Sequence, residues 1–132
     1  MREKGIHILL DLEGVDPDIL NDSLYLNNLI DKVIKESGLK SFGTLYHKFI
    51  PQGFTSVTLL SASHISIHTW PEYGYMAADI FACEEPEKAM KAADILIREL
   101  KPMKVKKTVL RRGYVFTGYV KADRDGVSFR EG

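Results

Sequence analysis

At 132 residues, with 45% apolar and 27% charged side chains, the chain is sized for one domain that can bury a core without metals or disulfides. Its 18 basic and 18 acidic side chains cancel, which removes any bulk electrostatic case for nucleic acid or an anionic membrane. No apolar run approaches the roughly 20 residues that span a bilayer, Met1-Arg-Glu-Lys-Gly lacks the apolar stretch of a signal peptide, and a single cysteine, Cys83, fits a reducing cytoplasm.

In chain order, branched apolar residues from Gly5 to Leu12 predict a first strand, and Asp16-Pro17 a turn. A helix is expected from about Asn21 or Asp22 to Ser37. Leu26, Leu29, Ile30, Val33 and Ile34 fall on one face, capping-type residues precede it, and Gly38 stops it. Strands are expected over Gly43 to Ile50, Thr55 to Leu60 and His64 to Trp70, then a turn at Pro71-Glu-Tyr-Gly74 and a strand from Tyr75 to Ala82. A second helix runs from about Pro86 to Leu100, with Met90, Ala93, Leu96, Ile97 and Leu100 at core spacing. Met103 to Leu110 and Tyr114 to Val120 are late strand candidates, and the polar stretch from Lys121 to Gly132 reads as a loosely held tail. Short connections predict an α+β two-layer sandwich: an antiparallel sheet with both helices on one face.

Chemistry concentrates in Ser61-Ala-Ser-His-Ile-Ser-Ile-His-Thr-Trp-Pro-Glu72, with Cys83 eleven residues on. No CxxC, HExxH or GxGxxG pattern occurs. His64 and His68 share a strand face, but four residues at ~3.3 Å each hold them about 13 Å apart, too far for one zinc. No metal site is expected. Ser63 and His68 differ by five positions and face opposite sides of a continuous strand. A direct pair needs either a break in the strand or a histidine from a second copy of the chain.

The strings HKFIPQG, SHISIHTWPEYGY and DIFAC resemble the short, prokaryotic form of S-adenosylmethionine decarboxylase, a self-processing pyruvoyl enzyme of polyamine (spermidine) synthesis. The resemblance is dense from His47 to Cys83 and weakens after the second helix. It implies that the Ser63 hydroxyl attacks the carbonyl of Ala62, that elimination then cuts the chain, and that residue 63 becomes a pyruvoyl group. That group forms an imine with the substrate amine and accepts electrons as carbon dioxide leaves, so no external cofactor is required.

By the same resemblance, His68 drives the elimination, Thr55 takes a helper hydroxyl's place, and Cys83 protonates the product carbon. Phe49 and Trp70 are implied to stack on adenine and Glu72 to bind ribose, while His7 and Asp11 complete the pocket from the first strand. The site is implied to lie between two protomers, which makes the active unit a cytoplasmic homodimer with shared sites. One departure stands out: the family usually carries glutamate where this chain has Ala62.

Taken singly, each residue has a plainer reading. Ser63 is a turn former, Cys83 a small core hydrophobe, His7 and His68 hydrogen-bonded strand residues, Phe49 and Trp70 packing groups, and Asp11 and Glu72 solvated. The joint motif favours a decarboxylase of S-adenosylmethionine. Two rivals stay open: a pyruvoyl-dependent arginine decarboxylase on the same scaffold, and a non-processing homologue that binds ligand or regulates a partner.

Overall fold

The computed structural model describes residues 4–113, 120–122 and 127–129. Strand β1 spans Gly5–Glu13. Its Ile8, Leu10 and Leu12 are buried while His7, Leu9 and Asp11 remain partly exposed, because alternate strand residues take opposite faces. A single helical turn follows, α1 at Pro17–Leu20, where only a turn is expected from sequence. Asp16 accepts the Asp18 N–H at 2.9 Å, and Pro17 occupies a first-turn position that needs no N–H.

Helix α2, Ser23–Ser37, begins where the Asp22 carboxylate accepts the Tyr25 N–H at 3.0 Å, and it closes on Gly38 at φ 83°. Leu26, Leu29, Ile30 and Val33 form its buried stripe. Strands β2 (Ser41–Lys48), β3 (Phe54–Leu60) and β4 (Ser63–Trp70) come next, then a 3₁₀ turn at Pro71–Tyr73 and β5 (Tyr75–Ala82). Strand β2 stops two residues short of the expected Ile50, because the Phe49 N–H turns back to the Gly53 carbonyl at 2.9 Å. Helix α3 occupies Pro86–Leu100, as expected, and β6 occupies Lys104–Arg112. The strand expected over Tyr114 to Val120 lies outside the described residues except for Val120. Where the tail from Lys121 is expected to be loosely held, β7 (Val120–Ala122) leads into it and pairs antiparallel with β8 (Val127–Phe129).

The main sheet has six strands in the order β2-β3-β4-β5-β1-β6, each antiparallel to its neighbours. Helix α3 lies on β1 and β5 and packs beside α2, so the α+β two-layer sandwich is the architecture found. Ile8, Leu10, Ile65, Ile67 and Ile80 from the sheet meet Leu26, Ile30 and Leu96 from the helices in one core. Each such side chain contributes about 1.5–3 kcal/mol through burial. Thr69 lies on this face and donates to the Leu20 carbonyl at 2.8 Å, tying β4 to α1.

The opposite face of the sheet is covered by none of the described elements. Register places Thr55 opposite His68, Val57 opposite Ser66 and Leu59 opposite His64, and paired residues share a face. That face therefore carries His64, Ser66, His68 and Trp70 from β4 together with apolar Val57 and Leu59, and Leu45 joins them from β2. Leu45 is 83% exposed and Leu59 57%. The chemistry-bearing half of β4 thus looks away from the helices.

Candidate active site

Three groups of side chains stand on or beside the open face. The first lines a cavity of about 400 Å³ formed by Phe49, Thr55, His68, Trp70 and Glu72 with the Ile50–Gly53 loop. Thr55 and His68 are cross-strand partners, and Thr55 Oγ1 lies 3.1 Å from His68 Nδ1. This contact sets the ring's orientation and leaves Nε2 for another partner. Trp70 sits two residues on, its ring 6.4 Å from that of His68 and 5.3 Å from that of Tyr75. Phe49 reaches the cavity from a loop whose Gly53 N–H donates to Asn21 Oδ1 at 3.0 Å. Gly53 has φ 113°, a conformation that disfavours any side chain, so glycine is needed for that turn. Glu72 rides on the rigid turn between Pro71 and Gly74, where the Gly74 N–H closes on the Pro71 carbonyl at 3.0 Å.

The second group lies at the other end of β4. Ser63, the first residue of that strand, holds φ 139°, in the region that disfavours side-chain-bearing residues and costs on the order of 1–3 kcal/mol. Its Oγ is 3.4 Å from His64 Nδ1. The carbonyl of Ala62, on the N-terminal side of the Ala62–Ser63 bond, accepts the Cys83 N–H at 2.9 Å. Cys83 itself is exposed. Beside them, the Asp79 carboxylate accepts from Ser66 Oγ at 2.9 Å and lies 3.5 Å from His64 Nε2 and 3.6 Å from His7 Nε2.

Asp11 belongs to neither group. It accepts a hydrogen bond from the Tyr75 hydroxyl and lines a shallow cleft with Glu13, Tyr73, Lys104 and Lys106. That hydrogen bond first, then burial and the charges of Asp11 and Glu13, push the Tyr75 phenol up to about 12 from its usual 10.0. A phenol whose folded value is raised stabilises the fold fully below pH 10 and loses that contribution as pH rises through about 12. Ultraviolet titration of phenolate should show the late ionisation of Tyr75 moving to lower pH in Asp11→Asn. Identical titrations of the two proteins would contradict the pairing.

The chain therefore brings Phe49, Thr55, His68, Trp70 and Glu72 together, and Ser63, Cys83 and His7 together, but not the two sets. Within one chain Ser63 and His68 do not meet. Five strand residues separate them by roughly 16 Å, and Thr55 takes the contact on His68 instead. Ser66, Asp79 and Tyr75 stand at the candidate site although the sequence reading gives them no role there, and His64 enters that reading only as a metal ligand that is set aside. The alternation His64-x-Ser66-x-His68-x-Trp70 is visible in sequence, but Asp79 joins only through the β4–β5 register. Among the described residues, no group of three or more His, Cys, Asp or Glu converges as metal ligands do, and no helix is long and apolar enough to cross a membrane.

Residues 6–113 match the family model described as S-adenosylmethionine decarboxylase. The chain belongs to the S-adenosylmethionine decarboxylase family. It is 42% identical over 111 residues to the S-adenosylmethionine decarboxylase proenzyme of Persephonella marina, covering 84% of each chain. It is 40% identical over 121 residues to the proenzyme of Methanococcus maripaludis, covering 92% of this chain and 99% of that one. The crystal structure of the adenosylmethionine decarboxylase from Aquifex aeolicus superposes with a TM-score of 0.83 at 40% identity, covering 88% of this chain and 96% of that one. The α+β sandwich of this family member is thus shared with a solved decarboxylase.

Proposed function

We propose that this chain is a proenzyme that cuts itself between Ala62 and Ser63 and then decarboxylates S-adenosylmethionine. The product carries the aminopropyl group used in spermidine synthesis. One observation carries the reading: a strained serine stands next to a carbonyl already held by a backbone N–H. When Ser63 Oγ adds to the Ala62 carbonyl carbon, charge develops on the oxygen that the Cys83 N–H contacts. A fixed donor at such a point stabilises the transition state. The C–N bond then breaks and leaves an ester with a free amine on residue 63. Loss of the residue 63 Cα proton expels the Ala62 carboxylate, and water releases ammonia to leave a pyruvoyl group. Only the backbone carbonyl of residue 62 enters these steps, so alanine satisfies them.

The pyruvoyl group supplies the electron sink for the carbanion left by departing carbon dioxide. The remaining work falls to the first cavity. Phe49 and Trp70 present aromatic faces to an adenine, and Glu72 offers acceptors for ribose hydroxyls. Cys83, exposed beside the processed residue, is positioned to return a proton to the product carbon. His7 lines the same end of the sheet, and Asp11 holds Tyr75 against Trp70.

A second copy of the chain completes the site. Stacking two open faces about a twofold axis near Ser66, at the ~10 Å spacing of packed sheets, carries the Ser63 end of one subunit onto the cavity of the other. It also covers Leu45, Val57 and Leu59, which a lone subunit exposes. His68 of the partner subunit then supplies the base for elimination, with Thr55 orienting it. The substrate reading is tested by carbon dioxide release from carboxyl-labelled S-adenosylmethionine and arginine. Release from the nucleoside substrate alone is expected. Release from arginine alone, or from neither by a fully cut chain, would contradict it.

A further inference from the structure

We infer that His64, with Asp79 behind it, takes the Ser63 hydroxyl proton and starts the acyl shift, a step separate from the elimination assigned to His68. The inference rests on the self-cleavage reading above and supplies the base that reading leaves open. Ser63 Oγ lies 3.4 Å from His64 Nδ1, and the opposite ring nitrogen, Nε2, lies 3.5 Å from Asp79 Oδ1. Hydroxyl, imidazole and carboxylate thus follow in the order of a general-base relay. A contact at the long end of hydrogen bonding is common before the reactive geometry forms.

The surroundings hold the carboxylate in place. Ser66, two residues along β4 on the same face, donates to Asp79 Oδ1 at 2.9 Å. His7 approaches the same oxygen at 3.6 Å, and its Nε2 is buried without a hydrogen-bond partner. Asp79 thereby faces two imidazoles, of which only His64 touches the serine. A carboxylate facing Nε2 favours the tautomer with its proton there, which leaves Nδ1 as the acceptor that Ser63 needs. His68 cannot serve this step from within the chain, being roughly 16 Å along the strand.

The step balances without a co-reactant. The Ser63 Oγ proton passes to His64 Nδ1 as Oγ bonds to the Ala62 carbonyl carbon. The negative charge rests on the carbonyl oxygen facing the Cys83 N–H, and Asp79 stabilises the imidazolium. As the C–N bond breaks, His64 returns the proton to the residue 63 nitrogen, giving the ester and a neutral amine. His64 is the catalytic base in this account and Asp79 its positioning residue.

The test follows cleavage of freshly folded chain on denaturing gels, with circular dichroism to confirm folding. His64→Ala should cut at least about 100-fold more slowly, in line with a lost general base. Added imidazole should restore part of the rate, and the uncut chain should resist hydroxylamine because it is still an amide. Asp79→Asn should slow cleavage roughly tenfold or more without imidazole rescue, as expected for a group that acts through the ring. His68→Ala is the contrast: its uncut chain should be split by hydroxylamine, having stopped at the ester. Wild-type speed in His64→Ala, a slow variant that imidazole leaves unchanged, or an uncut His64→Ala chain that hydroxylamine splits would each overturn the inference alone. A wild-type chain that never cuts would remove the processing reading and this inference with it.

Discussion

Ser63→Ala is expected to yield one uncut chain with no detectable decarboxylation. In the proposed mechanism the substitution deletes the nucleophile of the acyl shift and the atoms from which the pyruvoyl group is made, so neither a slow background reaction nor added cofactor can replace it. The fold should be unaffected. Ser63 stands at the end of β4 outside the buried core, and alanine meets the same φ of 139°. Thermal unfolding of the variant should match that of the uncut wild type, and circular dichroism should be unchanged. Cleavage of Ser63→Ala at residue 62 would place the nucleophile elsewhere.

His68→Ala should stall processing by a factor on the order of 10²–10⁴, the usual worth of a positioned acid–base group. The geometry makes a stronger statement about how the loss is repaired. His68 and Ser63 lie at opposite ends of β4, and in the proposed dimer each site takes one from each subunit. Mixing His68→Ala with Ser63→Ala during refolding therefore creates mixed dimers with one site that holds both residues. In those dimers the His68→Ala chain, which keeps its serine, should be cut, although neither variant is processed alone. Tagging the two variants differently identifies which chain is cleaved. Failure of the mixture to process any chain would rule out a shared site, and cleavage of the Ser63→Ala chain would contradict the nucleophile assignment.

Local pattern makes much of this fold legible. Helix α2 announces itself through Asp22, the Leu26-Leu29-Ile30-Val33 stripe and Gly38, and each signal acts within a few residues of the backbone it shapes. Strand β5 and helix α3 are readable for the same reason. Strand β2 is less so, because its end depends on a bond between Phe49 and Gly53 across a loop. In the candidate site, strand parity alone sets Ser63 and His68 apart on β4, and that separation is the ground on which a shared site is proposed. Asp79 is not legible as a site residue. It sits thirteen positions from Ser66, and only the antiparallel register of β4 and β5 brings the pair within 2.9 Å. Tyr75 is hidden likewise, since Asp11 reaches it from β1, distant in sequence.

The most direct test is intact mass spectrometry of freshly purified, fully folded protein. Two polypeptides are predicted, one ending at Ala62 and one beginning at residue 63, the latter lighter by one ammonia than a serine-led fragment. A single chain of the full 132 residues that persists through long incubation, with serine still at position 63, would contradict the account at its root.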